Sequence, residues 1–118
     1  MDLVLAGIQA NNKLQKYTFG EPRTGDDAWA AAVDKYIPNA YRVIHYHDIV
    51  PHLPFQNFGL FKYEHSSQEI WYNEASTNYT ACAPNDSPAC SNSVPDLKLN
   101  VPDHMTYLNY PIAESCGK

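Results

Sequence analysis

Tyr41-Arg-Val-Ile-His-Tyr-His-Asp-Ile-Val-Pro-His-Leu-Pro54 is the stretch whose reading decides the fold. Tyr41–Tyr46 reads as a short strand. Asp48 stands just past its end, and Pro51 and Pro54 forbid its continuation because proline donates no ladder hydrogen bond. Upstream, Ala28, Trp29, Ala32, Val33 and Tyr36 recur at helical spacing, after Thr24-Gly-Asp-Asp27 supplies capping chemistry. Before that helix, about Leu14–Phe19 reads as another strand, ended by Gly20 and Pro22. Strand, helix and strand in succession predict a right-handed crossover with parallel strands. An acid at the carboxyl end of such a strand lies on the edge where open α/β sheets place their sites. Far downstream, Val101-Pro-Asp-His-Met-Thr-Tyr-Leu108 puts His104 on a brief helical turn, where it can meet Asp48. An acid that orients a later histidine is one half of a Ser–His–Asp relay.

With Tyr17-Thr-Phe-Gly-Glu-Pro-Arg-Thr-Gly25 and Glu69-Ile-Trp-Tyr72 added, the chain resembles the C-terminal half of a class 3, fungal-type triacylglycerol lipase. It is most like the secreted nematode members. The four motifs stand in the family's order over about Leu3 to Cys116. The resemblance implies a partial α/β-hydrolase fold, α/β in class, and hydrolysis of acylglycerol esters. By the family pattern Asp48 is the triad acid and His104 the triad base. The family's nucleophile sits in a Gly-x-Ser-x-Gly elbow. That elbow is expected just before residue 1, and none of the seven serines here has the flanking glycines. Residues 1–118 are therefore expected to be the C-terminal portion of one lipase-like domain with the nucleophile half missing, inactive alone. The competing expectation is a secreted binding module or pseudoenzyme without catalysis.

A net charge of −5 excludes the clustered basic face that nucleic acid favours. The run Leu3–Ile8 is shorter than the hydrophobic region of about 7–15 residues in a secretory signal, so no signal peptide is expected in this chain. No stretch approaches the roughly 20 apolar residues of a membrane span. Other features point outside the cell. Cys82 and Cys90 bracket a loop rich in Pro, Asn and Ser, and two glycosylation sequons occur, Asn78-Tyr-Thr80 and Asn85-Asp-Ser87. The full-length protein is thus expected to be extracellular, with a lipid or ester substrate as its partner.

Phe61–Glu64 and Glu69–Tyr72 read as a hairpin, and residues 73–100 as one long polar connection carrying Pro84, Pro88 and Pro95. Connections of that length are uncommon without a staple. A Cys82–Cys90 bridge would be one, worth about 2.5 kcal/mol by loop entropy. The family resemblance implies that Cys116 pairs with a partner outside this chain. Arg23 is expected to hold loop carbonyls or Asp26 and Asp27. His45, His47 and His52 with Asp48 offer a rival metal shell, but their order fits no strong metal signature. Neither metal nor cofactor is expected. One parallel strand pair is too little for a free-standing sheet, so the chain reads as part of a larger one.

Overall fold

The computed structural model describes residues 5–7 and 10–115. Residues 3–12 read from the sequence as the end of a buried helix; 3, 4, 8 and 9 of them fall outside the described residues, as does Cys116. Leu5 is 56% exposed and Asn11–Lys13 makes a short 3-10 turn, so the described part is not a buried helix. Strand β1 (Lys16–Phe19), helix α1 (Asp27–Tyr36) and strand β2 (Ala40–His45) form the expected unit, within two residues of the boundaries read from sequence. Asp26 caps α1 by accepting a hydrogen bond from the Trp29 amide at 2.8 Å. Such a bond satisfies one of the donors every helix start leaves orphaned. Ala30 and Val33 are the buried face of α1, and Asp34 ties it to the sheet by accepting from the Ser67 amide at 2.6 Å.

The sheet is larger than the sequence reading allowed. Strand β5 (Gln68–Tyr72) pairs in parallel with β2, from Tyr41↔Gln68 to His45↔Tyr72. Strand β6 (Tyr79–Pro84) pairs antiparallel with β5, so the order is β1-β2-β5-β6. The predicted hairpin between 61–64 and 69–72 is therefore wrong. Phe61–Lys62 (β4) instead folds back on Asn57–Phe58 (β3) across Gly59, whose φ of 63° suits a residue without a Cβ. The polar connection over 73–100 is also shorter than expected. Asn73 closes a tight turn by accepting from the amides of Thr77 and Asn78, and this turn feeds β6 directly. Polar turn chemistry on both sides of Tyr79–Pro84 hid a strand whose partner is set by the turn.

The bridge joins Cys82 of β6 to Cys90, with both residues buried. Inside and beside this loop lies a buried polar cluster. Arg23 donates to the carbonyls of His52 (2.7 Å) and Pro54 (3.0 Å), as expected, but its acid is Asp86 at 2.7 Å. Asp26 is occupied as the helix cap, which is why it does not serve Arg23. The guanidinium and the amide of His65 hold the Asp86 carboxyl down to about 2. Arg42, fully buried, donates to the carbonyls of Ser66 and Asn85 and lies 3.7 Å from Glu69. The described residues leave the opposite face of the sheet largely open, with Tyr17 and Phe19 exposed. Tyr17, Phe19, Tyr41, Val43, Ile70 and Tyr72 share it by strand alternation and border a groove of about 370 Å³. Parallel strands need cover on both faces, so the described residues form a partial α/β-hydrolase sheet.

The buried cluster makes the fold acid-sensitive. Burial and the Arg42 charge hold the His65 imidazole neutral, down to about 3 from 6.5, while its Nε2 faces the Pro51 carbonyl at 2.7 Å. The unfolded chain takes up that proton first, so this contribution is complete above pH 6.5 and is lost as pH falls towards 3. The Asp86 contribution is complete above pH 3.8 and is lost as pH falls through about 2, the same sign. Joined to the rest of its domain, the protein should lose unfolding free energy, read from urea titrations, between pH 7 and 4, on the order of a few kcal/mol. His65→Gln, which keeps a donor for Pro51, should flatten that drop.

Candidate active site

The three parallel strands end on one edge, and the candidate residues gather there. After His45 the chain turns sharply, with Tyr46 at φ 39°, and the Asp48 amide bonds back to the His45 carbonyl at 2.9 Å. This fold-back drives Asp48 to full burial. Its Oδ1 accepts from the Val50 amide at 2.8 Å, which closes an Asx turn at the start of the Val50–His52 helical turn. The downstream segment is tied to the same place. Asn100 donates its amide to the His47 carbonyl at 2.9 Å and accepts from the Ile49 amide at 3.1 Å. Beyond it, Pro102–Met105 makes one helical turn that carries His104.

His104 Nδ1 lies 2.9 Å from Asp48 Oδ2. With Nδ1 protonated and donating, the imidazole is held in one tautomer and Nε2 is left as the acceptor nitrogen. Nε2 makes no hydrogen bond among the described residues, and 32% of the side chain is open to solvent. A buried carboxylate, an oriented ring and a free outward nitrogen can take a proton from a hydroxyl brought to that edge.

Two further residues shape this pair. The Tyr107 hydroxyl donates to the same Oδ2 of Asp48, and its ring sits edge-on to Phe19 and His45, each at 5.8 Å. Burial and the Asp48 charge push the Tyr107 hydroxyl far above its ordinary pKa, so it remains a donor. Gly20, at φ 60°, passes so close that a Cβ there would lie 2.6 Å from His104 Nδ1 and 2.9 Å from Asp48 Oδ2. Sequence reasoning took Tyr107 for part of the histidine motif and Gly20 for a strand stop. The only signal available was that each lies within three residues of an element already singled out.

The histidines of the rival metal shell do not converge. Both ring nitrogens of His45 face carbonyl oxygens, Asp103 at 3.0 Å and Glu74 at 2.9 Å. The His47 ring stacks on Tyr46, and His52 is buried in its turn. Among the described residues, one group with metal-ligand proximity is Glu69 with Cys82 and Cys90, whose sulfurs are bonded to each other. Of the sequons, Asn78 is exposed and Asn85 is half-buried.

A family profile described as Lipase (class 3) matches residues 1–58. The lipase of Rhizomucor miehei is 36% identical over 104 residues, which cover 86% of this chain and 27% of that protein. A secreted mono- and diacylglycerol lipase of Malassezia globosa is 34% identical over 109 residues, 87% of this chain and 33% of that protein. The solved structure of Rhizomucor miehei triacylglyceride lipase superposes with a TM-score of 0.81 at 30% identity, covering 94% of this chain and 42% of the other. A structure reported as a triacylglycerol lipase whose catalytic centre is a serine protease triad matches at 0.75 and 30% identity, over 87% and 38%. The chain thus spans about a quarter to a third of the length of the curated relatives it matches. With the α/β-hydrolase sheet, and with Asp48 and His104 meeting at the carboxyl edge of its strands, these likenesses make the chain a member of the class 3 lipase family.

Proposed function

We propose that this chain is the C-terminal portion of an extracellular lipase domain and supplies the acid and base of a Ser–His–Asp triad for hydrolysis of carboxylic esters, acylglycerols among them. The observation that carries the reading is the contact of 2.9 Å between His104 Nδ1 and the fully buried Asp48. In the reaction, a serine from the nucleophile half gives its proton to His104 Nε2 as its oxygen attacks the ester carbonyl. Asp48 holds the ring and stabilises the imidazolium that results. His104 then returns the proton to the departing alkoxide, and water releases the acyl group by the same steps. Among the described residues, the open sheet face and β1 standing at the edge of the sheet support the reading that strands from the nucleophile half complete the domain. Relatives whose names include "secreted", together with the buried disulfide, favour the extracellular setting.

Alone, the 118 residues should hydrolyse a short-chain p-nitrophenyl ester no faster than background and should show no sharp melting transition. Joined to an upstream lipase segment with an intact elbow, the chain should gain both. In that form Asp48→Asn should lower kcat by about 10⁴-fold, and His104→Ala by a similar factor. A sharp melt with ester hydrolysis by the isolated chain, unaffected by His104→Ala, would overturn the proposal. A joined form that folds but never hydrolyses would favour a binding module.

Tyr107→Phe removes one of the two donors on Asp48 Oδ2 without changing the ring. A bond to a buried charge contributes about 1.5–3 kcal/mol. The melting temperature should fall, and kcat in the joined form should fall about tenfold with KM unchanged, because roughly 1.4 kcal/mol of that support reaches the transition state. Gly20→Ala forces a Cβ into the His104 ring, so it should lower kcat more than Tyr107→Phe does. A variant with wild-type kcat would show that the approach at Gly20 is not needed for catalysis.

A further inference from the structure

The two sequons differ in everything except their pattern. Asn85 lies inside the Cys82–Cys90 loop at φ 65°, with its Oδ1 fully buried and its Nδ2 3.4 Å from Glu64. Its carbonyl accepts from buried Arg42 at 2.7 Å, and the hydroxyl-bearing Ser87 is itself buried. A sugar on Asn85 would have to turn this carboxamide out of the loop, at a residue whose backbone carbonyl is held by Arg42 and whose sequon hydroxyl on Ser87 is itself buried.

Asn78, Tyr79 and Thr80 are all exposed. The backbone of Asn78 is fixed by the turn, since its carbonyl accepts from the Asn73 amide and its amide donates to Asn73 Oδ1. Its side chain makes no hydrogen bond among the described residues. It also borders a cleft of about 190 Å³ whose walls include Tyr46, Trp71 and Tyr79. The cleft is open, aromatic and about the size of one sugar ring. Aromatic faces bury the apolar C–H face of a pyranose while its hydroxyls stay in water.

We propose that Asn78 carries an N-linked glycan whose first sugar rests in the cleft of Tyr46, Trp71 and Tyr79, and that Asn85 stays unmodified. The donor is a lipid-diphosphate-linked oligosaccharide of the secretory pathway. Asn78 Nδ2 forms the bond to the sugar C1, the C1–O bond to the diphosphate breaks with its electron pair, and the amide proton leaves to the transferase. The inference rests on the extracellular part of the proposed function. It does not depend on the hydrolytic part.

The test uses the polypeptide that carries this chain, expressed behind a secretory leader in a eukaryotic host, with glycans counted by the gel shift on endoglycosidase treatment. Asn85→Gln should carry as many glycans as the wild type. Asn78→Gln and Thr80→Ala should each carry one fewer, the second variant leaving Asn78 in place in case the first misfolds. A glycan lost in Asn85→Gln, or a glycan count that stays at the wild-type value in both Asn78→Gln and Thr80→Ala, would each overturn the assignment. For the cleft, protein trimmed to its first sugar should melt a few degrees above Asn78→Gln, and Tyr79→Ser should abolish that difference. Equal melting of trimmed protein and Asn78→Gln would remove the sugar from the cleft. Because ester hydrolysis is not the readout, a glycosylated but inactive protein would count against the hydrolase reading alone. An active protein without the glycan would count against this inference alone.

Discussion

One buried carboxylate oxygen organises the edge of this sheet. Oδ2 of Asp48 accepts from both His104 and Tyr107, while Oδ1 accepts from the Val50 amide. A carboxylate wholly removed from water is costly unless its lone pairs are met. Asp48 meets this requirement with one donor from its own turn and two from the distant segment that carries His104 and Tyr107. The same bonds draw the segment 100–107 onto the end of β2. The histidine is oriented and the downstream segment is anchored by the same group. Any change that leaves Oδ2 short of donors acts on the placement of His104 as well as on stability.

A second polar anchor holds the layer behind that edge. Arg23 joins the loop after β1, the carbonyls of 52 and 54, and the disulfide loop through Asp86. A planar guanidinium with several donors in a rigid fork suits such a junction of loop carbonyls and a carboxylate. Because the Asp48 turn and the His52 turn are consecutive, fixing 52–54 from below also fixes the height at which Asp48 stands. Asp86 lies within the loop that the bridge between Cys82 and Cys90 closes.

The uncovered aromatic face explains why the sheet is read as partial. Tyr17 is 57% exposed and Phe19 47% exposed on strands whose other face is packed. Large apolar surface on a parallel sheet belongs against further structure. Phe19 also touches the Tyr107 ring, so the uncovered face and the dyad are joined at that one contact. Covering the face would stiffen the wall against which Tyr107 stands.

Much of this was legible in the linear sequence where the signal is local. The helix from Asp27 showed itself by its 3.6-residue period and its capping aspartate, and β2 by its end at the prolines. Asp48 and His104 stood out through their motifs, and the cysteine pair through its spacing. Those features depend on residues within about a turn or a strand of one another. Tertiary structure alone decided the rest. The parallel pairing of Gln68–Tyr72 with β2 joins residues some thirty apart in sequence, and β6 exists because the Asn73 turn returns the chain beside it. Asp86 as the partner of Arg23, Tyr107 on Asp48, and the closeness of Gly20 to His104 are contacts across 63, 59 and more than eighty residues. No period or cap encodes such distances. They arise only when burial forces each polar group to find a partner among whatever the fold brings near.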